Sequence, residues 1–123
     1  MPTRCSYGLI GRPLGHSFSP QYFSELFDRL GIDASYESYE LQRIEELPEL
    51  LATHPSLRGL NVTLPYKREV LHYVDACSPE VERLQAANVL CIERTPSVKL
   101  HITAHNTDVW GFYHSLLPLL GEE

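Results

Sequence analysis

The stretch Leu-Arg-Gly-Leu-Asn-Val-Thr-Leu-Pro-Tyr-Lys, residues 57–67, decides the fold assignment. Its first six residues form an apolar run that predicts a buried strand over residues 57–62. Pro65 suits the first turn of a helix, where a missing N–H leaves no hydrogen bond unmade. We therefore predict a strand followed at once by a helix over residues 66–74.

Three polar side chains stand at fixed offsets in this stretch, namely Asn61, Thr63 and Lys67. They would gather at the carboxyl end of the predicted strand, which is where open α/β sheets bind small ligands. The alternative is that Asn61 and Thr63 only form the turn and that Lys67 is a solvated helix lysine. The stretch alone does not decide between a ligand site and an ordinary turn.

The rest of the chain alternates strand and helix patterns, and the connections between the early strands have the length of a helix. Such connections predict right-handed crossovers and a mostly parallel sheet covered on both sides. A short connection over residues 94–97 joins the last two strands and predicts an antiparallel hairpin at one edge. We predict an α/β fold, a three-layer α/β/α sandwich. The predicted strands cover residues 5–10, 34–41, 57–62, 87–92 and 98–103, and the predicted helices cover residues 19–30, 44–51, 66–74, 78–84 and 107–119.

Composition limits the class of protein. The 123 residues, 43% hydrophobic and 21% charged, fit one core, so we expect a single domain over residues 1–123. The net charge of -6, with scattered Lys and Arg, argues against nucleic acid as a partner. No apolar stretch approaches the ~20 residues of a membrane span, and no signal-peptide apolar region follows Met1, so we expect no membrane partner and a cytoplasmic protein.

The cysteines and histidines indicate no metal. Cys5, Cys77 and Cys91 are odd in number and widely spaced, so we interpret them as small hydrophobic side chains and not as disulfide partners or zinc ligands. His101 and His105 would share one face of a strand, which leaves a metal site as an alternative. No carboxylate or cysteine joins them at ligand spacing, so we predict no metal.

Other polar clusters follow predicted strands. In the segment over residues 15–20, the hydroxyls of Ser17 and Ser19 stand beside the free N–H groups of a helix start, which favours a carboxylate or phosphate. Asn88 heads a strand and can both donate to and accept from a ligand hydroxyl. Asp108 stands at the start of the last predicted helix. Helix capping and turn formation are the alternative roles of these residues.

Taken in order, the motifs resemble the N-terminal, substrate-binding domain of the shikimate dehydrogenase family over residues 7–111. Family members show Gly-His-Ser-x-Ser-Pro, Asn-Val-Thr-x-Pro-x-Lys, Ala-x-Asn and Asn-Thr-Asp-x-x-Gly. Here these motifs begin at residues 15, 61, 86 and 106. The chain departs from the family pattern at a few positions: Gln85 and Ala104 replace glycines, Val89 replaces a threonine, and Phe23-Ser24 replaces a His-Asn pair.

The resemblance implies a role for each matching residue. Ser17 and Ser19 would hold the substrate carboxylate. The residues implied to meet the ring hydroxyls are Thr63, Lys67, Asn88 and Asp108. Lys67 and Asp108 would carry the hydroxyl proton. Burial favours a neutral lysine while a neighbouring aspartate favours the charged form, so the two are treated as one coupled pair.

The resemblance also implies an NADP-dependent enzyme that reversibly reduces 3-dehydroshikimate to shikimate, on the route to chorismate and the aromatic amino acids. No Gly-x-Gly-x-x-Gly occurs in the 123 residues, so the NADP(H) site is expected in a C-terminal Rossmann domain that this chain lacks. We expect substrate binding without turnover. A relative that also acts on quinate and a non-catalytic module for a shikimate-like ligand are the alternatives. The oligomeric state is not indicated.

Overall fold

The computed structural model describes residues 5–15, 19–94 and 100–107. The strands are β1 Cys5–Gly11, β2 Ala34–Glu40, β3 Leu57–Val62, β4 Ala76–Cys77, β5 Val89–Glu93 and β6 His101–His105. The α-helices are α1 Ser19–Leu30, α2 Leu47–Thr53 and α3 Pro79–Leu84, and short 3₁₀ helices span Ile44–Glu46 and Glu69–Tyr73. The helix predicted over residues 107–119 lies almost wholly outside the described residues.

The strands form one six-stranded sheet in the order β2-β1-β3-β5-β6-β4. β1 pairs in parallel with β2 and β3, while β5 runs antiparallel to both β3 and β6. The predicted α/β fold, mostly parallel with an antiparallel hairpin, is confirmed. The hairpin is not the edge, because β4 pairs in parallel with β6 beyond it. A strand of two residues is too short to leave a periodic signal, so the sequence does not predict β4.

Helices cover both faces of the sheet because neighbouring strand residues point to opposite sides. Leu9 packs with Tyr36 on the face that α1 covers, and Phe23 and Phe27 of α1 pack against this cluster. Ile10, the next residue along β1, enters the larger core on the other face, together with buried residues of α2 and α3. Each fully buried Leu or Ile there contributes roughly 1.5–3 kcal/mol relative to leaving it exposed.

The helix ends follow the signals in the sequence. α1 stops at Gly31, whose φ of 70° lies in the left-handed region that glycine adopts without a steric penalty. The Ile32 N–H donates to the Phe27 carbonyl (2.9 Å) and the Gly31 N–H to the Asp28 carbonyl (3.2 Å), which together form a Schellman motif. α2 begins later than residue 44 because a 3₁₀ turn, Ile44–Glu46, precedes it.

α3 is bounded as predicted. The Ser78 hydroxyl accepts from the Val81 N–H (3.4 Å) and Pro79 occupies the first turn. The helix stops at Gln85, which adopts a left-handed conformation with φ 57° and ψ 39°. The Gln85 N–H still donates to the Val81 carbonyl at 2.7 Å.

The predicted helix over residues 66–74 is wrong. The Leu64–Pro65 peptide is cis, and a turn closed by the Tyr66 N–H and the Thr63 carbonyl (3.1 Å) replaces the first helical turn. Only Glu69–Tyr73 is helical, as a 3₁₀ helix. The apolar spacing that indicated an α-helix comes instead from Tyr66 and Val70, which enter the core from this irregular segment.

The described cysteines are free thiols, and their packing matches the prediction only in part. Cys5 and Cys77 are half-buried, but Cys91 is exposed, so its interpretation as a packed hydrophobic side chain is wrong. Cys91 lies in β5 between Leu90 and Ile92, which both face the core, and it therefore points to the other side of the sheet. Among the residues that the structure describes, no helix is long and apolar enough to cross a membrane.

The buried Tyr66 hydroxyl gives a test of the packing between β3 and the segment after it. It donates to the Leu41 carbonyl inside the core. Tyr66→Phe leaves that carbonyl without its partner, so we expect the free energy of unfolding to fall by about 1–3 kcal/mol. Urea denaturation measures this change. Tyr22→Phe is the control, because Tyr22 is 60% exposed. Equal losses in the two variants would contradict the assignment.

Burial also predicts a pH dependence. It raises the pKa of Tyr66 above the usual value for tyrosine, about 10. The folded state therefore holds this proton more tightly than the unfolded state, and its contribution is complete below pH ~10 and is lost as the pH rises towards the folded value. Burial and a hydrogen bond to Glu37 also raise the pKa of Tyr39, to about 12.

Tyr39 also makes the free energy of unfolding fall as the pH rises, because its pKa is raised as well. The effect of Tyr66 is therefore measured by comparing the unsubstituted chain with Tyr66→Phe. We expect the unfolding free energy to decline more steeply between about pH 9 and 11 in the unsubstituted chain than in Tyr66→Phe. Urea titrations across this range provide the measurement. Parallel declines would show that Tyr66 is not the group responsible.

Candidate functional site

One edge of the sheet brings together several of the polar residues that the sequence singles out, namely Asn61, Thr63 and Asn88. Asn61 in β3 pairs with Val89 in β5, which pairs in turn with His105 in β6. The ends of β3 and β6 therefore meet the start of β5. Thr63 follows β3 at this edge and Asn88 precedes β5, although the two residues belong to different motifs.

Thr63 is held by the ends of two parallel strands. Its N–H donates to the Ile10 carbonyl of β1 at 2.9 Å. Gly11, the last residue of β1, approaches it closely, because a Cβ at that position would lie 2.3 Å from Thr63 Cγ2. Glycine at position 11 is thus what allows the threonine side chain to sit against the end of β1.

A short segment beside Thr63 connects it to Lys67. This segment is Ala86-Ala87-Asn88, the 86–88 segment. The Ala87 N–H donates to the Lys67 carbonyl (2.8 Å), and the Asn88 carbonyl accepts from the Val62 N–H (2.8 Å). Both residues that flank the Thr63 turn are therefore fixed to the same piece of backbone.

The 86–88 segment also holds the chain that leaves β6. The Asn88 N–H donates to the His105 carbonyl (3.1 Å), and the Asn106 Nδ2 donates to the Ala86 carbonyl (3.0 Å). The Asn88 side chain contacts Thr107 twice: its Nδ2 donates to Thr107 Oγ1 and its Oδ1 accepts from the Thr107 N–H, both at 2.9 Å. These bonds fix the residue that immediately precedes Asp108.

Asn88 has a structural role at this edge. Its amide closes a side-chain ring with Thr107, which corresponds to the structural alternative that the sequence left open. An amide offers two N–H donors and two acceptor lone pairs, so the two Thr107 bonds do not exhaust its capacity. Structural and ligand-binding roles of Asn88 are compatible.

The structure brings together Thr63, Lys67 and Asn88 of the predicted site residues. Lys67 is half-buried beside the 86–88 segment. Ser19 is the first residue of α1, and its side chain is outside the described part of the chain. Ser17 and Asp108 lie outside the described residues, so their predicted roles, and the Lys67 and Asp108 pair, stay predictions.

The sequence did not predict a hydrogen bond between β2 and β3 that involves Asn61 at this edge. The Tyr36 hydroxyl donates to Asn61 Oδ1 at 2.7 Å across 25 positions of sequence. The alternating tyrosines of β2 identified the strand but not the partner of each hydroxyl. Only the register, with Tyr36 beside Tyr7 and Leu9 beside Asn61, shows that the tyrosine spans β1 to reach β3.

A cavity of about 400 Å³ lies between α1 and the neighbouring sheet face. Its lining is mostly aromatic and aliphatic, and it includes Tyr7, Phe23, Phe27, Tyr36, Val89 and Cys91. Asn61 is among the few polar residues that line it. A hydroxylated acid needs several hydrogen-bonding partners, so the polar edge fits such a ligand better than this cavity does.

The metal alternative gains no support from the described residues. Within residues 5–15, 19–94 and 100–107, no three His, Cys, Asp or Glu side chains come together as metal ligands. His101 and His105 both lie in β6, and His101 Nδ1 stands 3.8 Å from Glu93 Oε1 of β5. One nearby carboxylate does not complete a tetrahedral ligand set.

Comparison with known proteins adds independent findings. The family model for the shikimate dehydrogenase substrate binding domain matches residues 9–90. The shikimate dehydrogenase (NADP(+)) of Clostridium beijerinckii is 39% identical over 108 residues, which are 86% of this chain and 38% of that protein. The chain thus spans well under half the length of this relative.

Solved structures agree. The dehydroquinate dehydratase and shikimate dehydrogenase of S. pombe aligns with a TM-score of 0.84 at 32% identity, over 94% of this chain and 21% of that one. The shikimate 5-dehydrogenase of Thermus thermophilus, solved in complex with shikimate, aligns with a TM-score of 0.76 at 32% identity, over 91% of this chain and 41% of that one. Since the family model matches residues 9–90 and both solved structures align over more than nine-tenths of this chain, the chain belongs to the shikimate dehydrogenase substrate-binding domain family.

Proposed function

We propose that this chain binds shikimate and 3-dehydroshikimate as the substrate-binding part of an NADP-dependent shikimate dehydrogenase. The observation that carries the proposal is the polar edge at which the 86–88 segment, which contains Asn88, is hydrogen-bonded to the backbone on both sides of Thr63, at Val62 and Lys67. Polar residues that lie near one another at the carboxyl edge of an α/β sheet suit a ligand with several hydroxyl groups. The relative from Thermus thermophilus, solved with shikimate, supports this choice of ligand.

Each residue has a proposed task. Ser17 and Ser19 bind the substrate carboxylate at the start of α1, where free backbone N–H groups favour an anion. Thr63, Asn88 and Asp108 hold the ring hydroxyls. Lys67 donates to the oxygen on the carbon that is reduced or oxidised, and with Asp108 it carries the proton that this oxygen gains on reduction and loses on oxidation.

The cofactor has its proposed place on a separate domain. When bound, the cofactor would supply the hydride that the carbonyl carbon of 3-dehydroshikimate gains, while Lys67 and Asp108 would supply the proton that the carbonyl oxygen gains. The 123 residues contain no Gly-x-Gly-x-x-Gly sequence, and the described cavity is too apolar for a pyrophosphate. We therefore place the NADP(H) site on a Rossmann domain that this chain does not include.

Substrate binding by this chain can be measured by NMR titration with shikimate. We expect the amide signals of Thr63, Lys67 and Asn88 to move, and Lys67→Ala to weaken binding by roughly 10- to 100-fold, since a hydrogen bond to a charged group is lost. Arg68→Ala is the matched control, because it removes the same charge from the adjacent, exposed position.

The same titration with quinate compares the two ligands that the sequence leaves open. Tighter binding of quinate than of shikimate, measured from the concentration dependence of the shifts, would redirect the proposal to a quinate-binding relative. Signals at the three positions that stay in place with both ligands would overturn the assignment of the site.

A second measurement concerns turnover. We expect the 123-residue chain, mixed with NADPH and 3-dehydroshikimate, to show no oxidation of NADPH above the rate without protein, because it contains no dinucleotide-binding motif. The absorbance of NADPH in the near ultraviolet follows the reaction. Protein-dependent consumption of NADPH would show that the cofactor site lies within this chain.

A further inference from the structure

Tyr36 is a buried tyrosine whose hydroxyl points along the sheet to the candidate site. Its side chain is 6% exposed, and the hydroxyl donates to Asn61 Oδ1 at 2.7 Å. A buried phenol needs a partner for its O–H, so this bond is a requirement of burial as well as a contact. The substrate roles given above do not include Tyr36.

The ring of Tyr36 has little freedom to move. It stacks on Phe23 of α1, with ring centroids 4.8 Å apart and an angle of 23° between planes, and it packs with Leu9 and Leu14. Phe23 stands where the family has histidine, so this chain fixes the tyrosine by aromatic stacking. The ring in turn fixes the position of the hydroxyl.

The hydroxyl sets the orientation of Asn61. An asparagine amide carries its oxygen and nitrogen on opposite sides of one carbon, so holding Oδ1 towards Tyr36 turns Nδ2 away from it. Asn61 lies two positions before Thr63, is half-buried and lines the cavity between α1 and the sheet. Among the residues that the structure describes, no hydrogen-bond partner of Nδ2 is seen.

We propose that Tyr36 is a positioning residue, which keeps the Asn61 amide turned so that Nδ2 is presented as a donor to the ligand at the Thr63 edge. The inference rests on the proposed function, since the ligand is shikimate. The donor Nδ2 makes this side of the site selective for a ligand oxygen that accepts a hydrogen bond. Without the tyrosine hydroxyl, the amide can turn over and present its own oxygen, which repels the lone pairs of such an acceptor.

The first test measures shikimate affinity. We expect Tyr36→Phe to weaken binding about three- to tenfold, the effect of one hydrogen bond of ordinary strength. Asn61→Asp keeps an acceptor for Tyr36 but removes the donor, so it should weaken binding at least as much. Tyr39→Phe is the matched control: it lies in the same strand, faces the other side of the sheet and donates to Glu37.

A double variant separates positioning from general loss of structure. If Tyr36 acts through Asn61, then Tyr36→Phe has no further effect on affinity in an Asn61→Ala background. Losses that add fully in the double variant would overturn the proposal. Unchanged affinity in Tyr36→Phe alone would do the same.

The second test needs no ligand. In the free chain, the two Nδ2 protons of Asn61 should give separate, well-dispersed NMR signals that collapse towards random-coil positions in Tyr36→Phe and stay in place in Tyr39→Phe. If the unsubstituted chain fails to bind shikimate, the proposed function fails for this chain, and the Asn61 signals still decide whether Tyr36 orients the amide. Signals unaffected by Tyr36→Phe would refute the positioning role.

Discussion

The geometry of the candidate site depends on hydrogen bonds made by the 86–88 segment. Through Ala87 and Asn88 it binds the backbone on both sides of the Thr63 turn, and through Asn88 and Ala86 it binds the chain that leaves β6. Each bond joins parts of the chain that are distant in sequence. The separation between the Lys67 region and the residue before Asp108 is therefore set by one short piece of backbone and not by the long connections between them.

The 86–88 segment makes four of these bonds with its own backbone atoms, and these bonds do not depend on the side chains of the segment. Val89 replaces a threonine without removing any donor or acceptor of the 86–88 segment. Asn88 is different, because both of its side-chain groups contact Thr107. The segment therefore contributes side-chain hydrogen bonds at Asn88, whereas at Ala86 and Ala87 its backbone atoms make the bonds.

Sequence reasoning succeeded where the signal is local. The Schellman end of α1 at Gly31 and the Ser78 cap of α3 follow from residue types over a few positions, and β3 has the bounds that its apolar run predicts. It failed where distant contacts decide. The segment after Pro65 has a helical spacing of apolar residues, but burial of Tyr66 against the Leu41 carbonyl selects a turn. The hydrogen bond between Tyr36 and Asn61 could not be predicted from the sequence either, because it depends on strand register.

Gln85 stands where the family carries glycine, and its left-handed conformation has a consequence beyond helix capping. A residue with a Cβ pays roughly 1–2 kcal/mol to adopt this conformation, so right-handed geometry competes with it at this position. In right-handed geometry α3 would continue through Gln85 and draw Ala86 away from Asn106. The end of α3 and the position of the Ala86 carbonyl, which accepts from Asn106 Nδ2, thus both depend on the two backbone angles of Gln85.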